Sequence, residues 1–265
     1  QMALLWKLTG TEQYAKNVIN ILNQWAATCT EVTSNDANHK LAAGAQGYTF
    51  ANAAEIMQTY DGWTEADKAT FKTWIVKVFA SKNKDFLDNH QGSSNCALHY
   101  WSNWDLVNMC SYLSIGILTE DDDMVNYVIN YFYNGAGNGA LNNLIQGTHI
   151  DPLSNEEICQ NQESGRDQGH AQMSAAVTAN LCQIAYTFYQ DNKDVARLDF
   201  FAANNNAIMK MGEYVALSNA TDGVKNDNSD GTWLIDIAKI PFKEYQYCIN
   251  CTCKDKNHGQ DHKMV

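Results

Sequence analysis

The densest run of chemically capable side chains in this sequence is Glu163-Ser164-Gly165-Arg166-Asp167-Gln168-Gly169-His170-Ala171-Gln172. Positions 163, 166 and 170 are three and four apart. On a helix that spacing puts Glu163, Arg166 and His170 on one face, with Asp167 beside them. A guanidinium, an acid and an imidazole brought together can bind a carboxylate and move a proton. The competing reading of the same run is a polar helix start, in which Arg166 only pairs with a first-turn acid.

A second cluster is His99-Tyr100-Trp101-Ser102-Asn103-Trp104-Asp105. His99 and Asn103 share a helical face, as do Tyr100 and Trp104. Aromatic rings next to amide and imidazole groups suit the apolar faces and hydroxyls of sugars. Rings at this spacing equally well fill a core. A third group, Cys248, Cys251 and Cys253 with His258 and His262, approaches zinc-ligand spacing. Cys253 falls too close to Cys251 for that pattern. Disulfides with Cys29, Cys96, Cys110, Cys159 or Cys182 are the expected fate of these thiols. Gly135-Ala136-Gly137-Asn138-Gly139 follows no strand, so it reads as a helix connection and not as a phosphate loop.

The elements that must position these groups are helical. Apolar residues recur at helical spacing over 11–28, 50–60, 64–80, 100–118 (ending near Gly116), 121–133, 165–190 and 200–217. Gln1 to Trp6 reads as the interior of a helix and not as a signal peptide. Strand alternation is absent. Gly44 to Gly47, Asp61-Gly62 and Asn134 to Gly139 read as short joints, which gives stacked antiparallel helix hairpins. The expectation is an all-α fold, an (α/α) toroid or incomplete barrel of such hairpins. It spans 1–217 and is followed by an irregular Cys/His-bearing segment, 218–265, of the same domain. Only two prolines interrupt the 265 residues, which leaves long helices possible.

Composition narrows the partners. Hydrophobic residues make up 45% and charged residues 18% of the chain, so it can build a large core. A net charge of −12 argues against nucleic acid, which needs a basic face. No apolar run is long enough to span a membrane. Eight cysteines and the sequons Asn219-Ala220-Thr221 and Asn250-Cys251-Thr252 predict a secreted protein.

Both polar clusters carry a resemblance to the alginate-lyase-like family, and Glu163 to His170 looks like its most distinctive motif. Leu41 to Gly44, Tyr48 to Glu55, His99 to Asp105 and Gly135 to Ala140 are similar to that family as well, and the matches run in order from about residue 1 to 250. The resemblance implies an α/α toroid that cleaves 1,4-linked uronate polymers, alginate or glucuronan, by β-elimination. It also implies domains extending further at both ends, so the chain looks short for the family. Asn103 and Arg166 would neutralise the uronate carboxylate, with Glu163 orienting Arg166 in the substrate site. His170 or His99 would be the base. A tyrosine, Tyr245 in preference to Tyr247, would be the acid or serve both roles. Tyr48 and Trp104 would line sugar subsites. No metal or other cofactor is required by this scheme, and the expected partner is an acidic polysaccharide. The alternatives are a non-catalytic carbohydrate-binding or scaffold toroid, and a glycoside hydrolase on the same architecture.

Overall fold

The computed structural model describes residues 1–90, 94–151, 154–164, 166–191, 196–220, 224–225 and 234–235. Helix α1 (Met2–Thr9) turns at Gly10, whose left-handed backbone (φ 68) suits glycine, into α2 (Glu12–Thr28). Next come α3 (Asn38–Met57) and α4 (Glu65–Ile75), which runs through one π-helical turn, Val76–Ala80, into α5 (Ser81–Asn89). The Thr64 hydroxyl caps α4 by accepting the Asp67 N–H at 3.1 Å. After a 3-10 turn, Ser94–His99, follow α6 (Ser102–Thr119), α7 (Asp122–Asn134) and the short α8 (Leu141–Leu144). An antiparallel hairpin, β1 (Ile145–Ile150) and β2 (Glu157–Asn161), then leads to α9 (Gln168–Asp191) and α10 (Ala203–Ala220). Two two-residue strands, β3 (Val224–Lys225) and β4 (Leu234–Ile235), pair beyond it.

Helix α6 is the centre of the molecule. It packs against α3, α5, α7 and α9, and nearly all its residues are buried, polar Ser102, Asn103, Asp105, Asn108, Ser111 and Ser114 included. A helix hydrophobic on one stripe would not do this; α6 is surrounded, so its polar side chains must find partners inside. Asn83 of α5 supplies two: its amide donates to Asn108 Oδ1 at 2.7 Å and its carbonyl accepts from Ser111 Oγ at 2.7 Å.

Several sequence expectations are corrected. Gly44 to Gly47 is no joint but the middle of α3. A Cβ on Gly44 would lie 2.6 Å from the Val107 side chain, and one on Gly47 2.0 Å from Ser111 Oγ, so these glycines let α3 and α6 approach. Gly116 likewise lies within α6, against Met124 of α7. Strands do occur. β2 is buried from Ile158 to Asn161 and packs on α10, which removes the alternation that would have marked it. Cys29, Cys110, Cys159 and Cys182 are free thiols, so the disulfides expected for them are not formed. Cys248, Cys251, Cys253, His258 and His262 lie outside the described residues. Among the described residues no helix is long and apolar enough to cross a membrane.

Candidate active site

The site is built where the β2–α9 connection crosses the N-terminus of α6. The first N–H groups of a helix have no partner within it. Here two consecutive side chains supply them: Gln162 Oε1 accepts the Ser102 N–H at 2.7 Å, and Glu163 Oε1 accepts the Asn103 N–H at 3.2 Å. A carboxylate is favoured at this positive end of the helix dipole. Glu163 and Arg166 lie in turns ahead of α9, outside the helix on which their spacing was read, while His170 lies within it. Ser164 N–H donates to the Asn161 carbonyl and Arg166 N–H to that of Glu163, each at 3.1 Å. The turn still brings Glu163 and Arg166 together, because its i to i+3 bond reproduces one turn of helix.

Glu163 is fully buried. Its second oxygen holds Arg166 Nη1 at 3.2 Å, and the guanidinium lies over the Trp101 ring, 4.8 Å from its centroid. Burial pushes the Glu163 carboxyl up to about 7, opposed by the Arg166 charge and by the Asn103 N–H. The Arg166 side chain is 24% exposed, so one end of this pair is sealed and the other reaches solvent.

Asp167 opens α9. One of its oxygens accepts the His170 N–H at 2.8 Å, and the other pairs with His170 Nδ1. A carboxylate only accepts, so Nδ1 is the nitrogen that carries the proton, and in the neutral ring the lone pair is on Nε2. The imidazole is 42% exposed, and a ring oriented in this way by a carboxylate is equipped as a base. Asn103 is 3% exposed. Its Nδ2 donates to the His170 carbonyl at 3.1 Å, while its Oδ1 is buried without a partner among the described residues. It therefore ties the N-terminus of α6 to that of α9. Tyr214 of α10 has its hydroxyl pushed up to about 12 by burial.

The structure thus brings Asn103, Glu163, Arg166 and His170 into one cluster. His99 closes the 3-10 turn two residues before Trp101, with its ring edge-on to Tyr100. Trp104 is half-buried and packs on Tyr100 and Phe86, with ring centroids 4.8 and 5.7 Å away. Tyr48 is half-buried on α3 and packs against the core. Tyr245 and Tyr247 lie outside the described residues. Sequence reading gave no role to Trp101 or Gln162 and left Asp167 as a bystander. Their signal was adjacency to the motif residues, which spacing alone does not rank.

Two solved structures share this arrangement of helices. They are a histidine-to-alanine variant of alginate lyase A1-III complexed with a tetrasaccharide (TM-score 0.55, 17% identity) and a tyrosine-to-phenylalanine variant of the same enzyme, also with a tetrasaccharide (TM-score 0.57, 19% identity). Each match covers 82% of this chain and 56% of the other, so the chain spans little more than half the length of these structures. The likeness establishes the fold as an all-α toroid. No curated protein matches the chain by sequence. The family model described as alginate lyase matches residues 1–225, and the chain belongs to the alginate lyase family.

Proposed function

We propose that this chain is a polysaccharide lyase that cleaves 1,4-linked uronate polymers of the alginate type by β-elimination. The observation that carries the proposal is the pairing of a guanidinium, backed by a buried carboxylate and a tryptophan face, with a carboxylate-oriented histidine in the next turn of chain. Uronate elimination removes the proton at C5 and expels the 4-linked oxygen. While the substrate carboxylate keeps its charge, that proton is barely acidic. Neutralising the carboxylate and the charge that develops on it is the main task, one of fixed electrostatics.

Arg166 is the group that meets the carboxylate, and Glu163 holds it there. Asn103, buried and bonded to the His170 carbonyl, fixes the histidine's helix relative to α6. His170 Nε2 takes the C5 proton, with His99 as the other base within this region of chain. Tyr245 is the proposed acid for the leaving oxygen. Trp101, with its face already under Arg166, joins Trp104 and Tyr48 as a surface for sugar rings. The substrate is an acidic polysaccharide, and the two sequons support a secreted location.

A glycoside hydrolase would need two carboxylates on opposite sides of the bond, about 5–10 Å apart. Glu163 is sealed against α6 and Asp167 is engaged by His170, which speaks against that chemistry. The test is ultraviolet absorbance of the unsaturated uronate end while the purified protein meets alginate, glucuronan and pectate in turn. A rise with alginate or glucuronan is the expected result. New reducing ends without that absorbance would mean hydrolysis, and binding without either would mean a carbohydrate-binding toroid.

A further inference from the structure

The Gly135–Gly139 connection between α7 and α8 does more than join two helices. Asn138, 2% exposed, spends both hydrogens of its amide on the chain around His99: Nδ2 donates to the Leu98 carbonyl at 3.1 Å and to the Tyr100 carbonyl at 2.7 Å. Those two carbonyls are the ones on either side of His99. An amide is the side chain suited to this, since one nitrogen offers two fixed donors and no charge.

The flanking glycines seat the amide. A Cβ on Gly137 would lie 2.3 Å from Asp105 Oδ1, and one on Gly139 would lie 2.4 Å from Asp105 Cβ. The loop can reach this depth only without side chains at both positions. Gly139 N–H then donates to Asp105 Oδ2 at 3.2 Å. Asp105 is itself fixed, its Oδ1 bonded to His90 Nε2 at 2.8 Å and to the Tyr131 hydroxyl at 2.7 Å. The chain of contacts thus runs from a buried carboxylate on α6, through Gly-Asn-Gly, to the backbone of His99.

We infer that Asn138 is a positioning residue for His99, holding that histidine through the carbonyls of its two chain neighbours, Leu98 and Tyr100. This rests on the lyase reading above, in which His99 takes part in proton transfer. Displacing a reacting group by an ångström can cost about a hundredfold in rate, and loss of one of several holds on a backbone costs less.

The experiment uses the full chain with alginate as substrate, and compares Asn138→Asp and Asn138→Ala in the wild-type and His99→Ala backgrounds. Asn138→Asp keeps the shape, removes both donors and faces two carbonyls with oxygen; Asn138→Ala removes the group without adding charge. The expected result in both is a fall in kcat of about tenfold or more with KM nearly constant, unchanged helical circular dichroism, and displaced imidazole resonances of His99 by NMR. In the His99→Ala background either change should have little further effect on kcat. Unmoved His99 resonances in both folded variants would overturn the inference, as would an equal loss of kcat in the two backgrounds. If the unaltered protein turns over none of the uronate polymers, the lyase reading fails. The resonances then still decide whether Asn138 holds His99.

Discussion

Two carboxylates meet the N-terminal turns of α6, both fully buried, and they are treated in opposite ways. Asp105 is closed on every side. His90, Tyr131 and the Gly139 N–H occupy its two oxygens, and the His90 side chain is only 2% exposed. Burial beside this carboxylate drives the Tyr131 hydroxyl far above its ordinary range. Glu163 has a comparable donor in the Asn103 N–H, but its cationic partner leads outward: Arg166, while paired, lies over Trp101, partly in solvent. The lesson is that burial of a carboxylate does not distinguish scaffold from site. What distinguishes them is whether the partner it fixes can also reach a ligand. Asp105 fixes a loop and a helix end; Glu163 fixes a cation that is partly exposed to solvent.

Breaking the sealed network should give the largest effect. Asp105→Ala leaves His90, Tyr131 and the Gly139 N–H without their acceptor in a site closed to water, and should cost on the order of 3–5 kcal/mol of stability. Urea unfolding would measure it. A loss below about 1 kcal/mol would mean that water replaces the carboxylate there, and that the two sites are less different than their burial implies.

At the open site the expected loss is of activity. Arg166→Ala should lower kcat/KM on uronate polymer at least about a hundredfold, near 2.7 kcal/mol of transition-state stabilisation. Helical circular dichroism should be unchanged. Unfolding with retained specific activity would make Glu163–Arg166 a second structural pair and erase the contrast with Asp105.

The smallest effect sharpens the comparison through pH. Glu163 is raised from its ordinary 4.5 to about 7, so between those values the folded protein holds a proton that the unfolded chain has released. The contribution of Glu163 to stability is therefore greatest below about 4.5, falls as pH rises to about 7, and is flat above it. Glu163→Gln should abolish that slope, a difference of a few degrees in Tm across the window. Activity should move the other way, since the ionised Glu163 that costs stability is the form that holds Arg166. An unaltered slope in Glu163→Gln would assign the pH dependence to another group.

Much of the fold was legible because amphipathic periodicity is a local signal. The helices α2, α6, α7 and α10 fall within a few residues of their predicted ranges. The failures share a cause. Gly44 and Gly47 look like breakers in isolation, and only the side chains of α6 pressed against them explain why α3 continues. The β1–β2 hairpin was invisible because α10 covers β2 and removes its polar alternation.

At the site, residue types and spacing grouped Glu163, Arg166 and His170, while Asn103 joined them only through the family resemblance. Spacing alone could rank neither Asp105 against Glu163 nor Trp101 against Trp104, since each pair offers the same functional group. Composition and periodicity determined that the chain is helical and rich in core, and residue types singled out the Glu163–His170 run as its densest polar cluster. Which carboxylate is sealed, which cation keeps a face to solvent and which loop grips the backbone of His99 were decided only by the tertiary structure. Desolvation and hydrogen-bond satisfaction depend on every group packed around an atom, most of them distant in sequence.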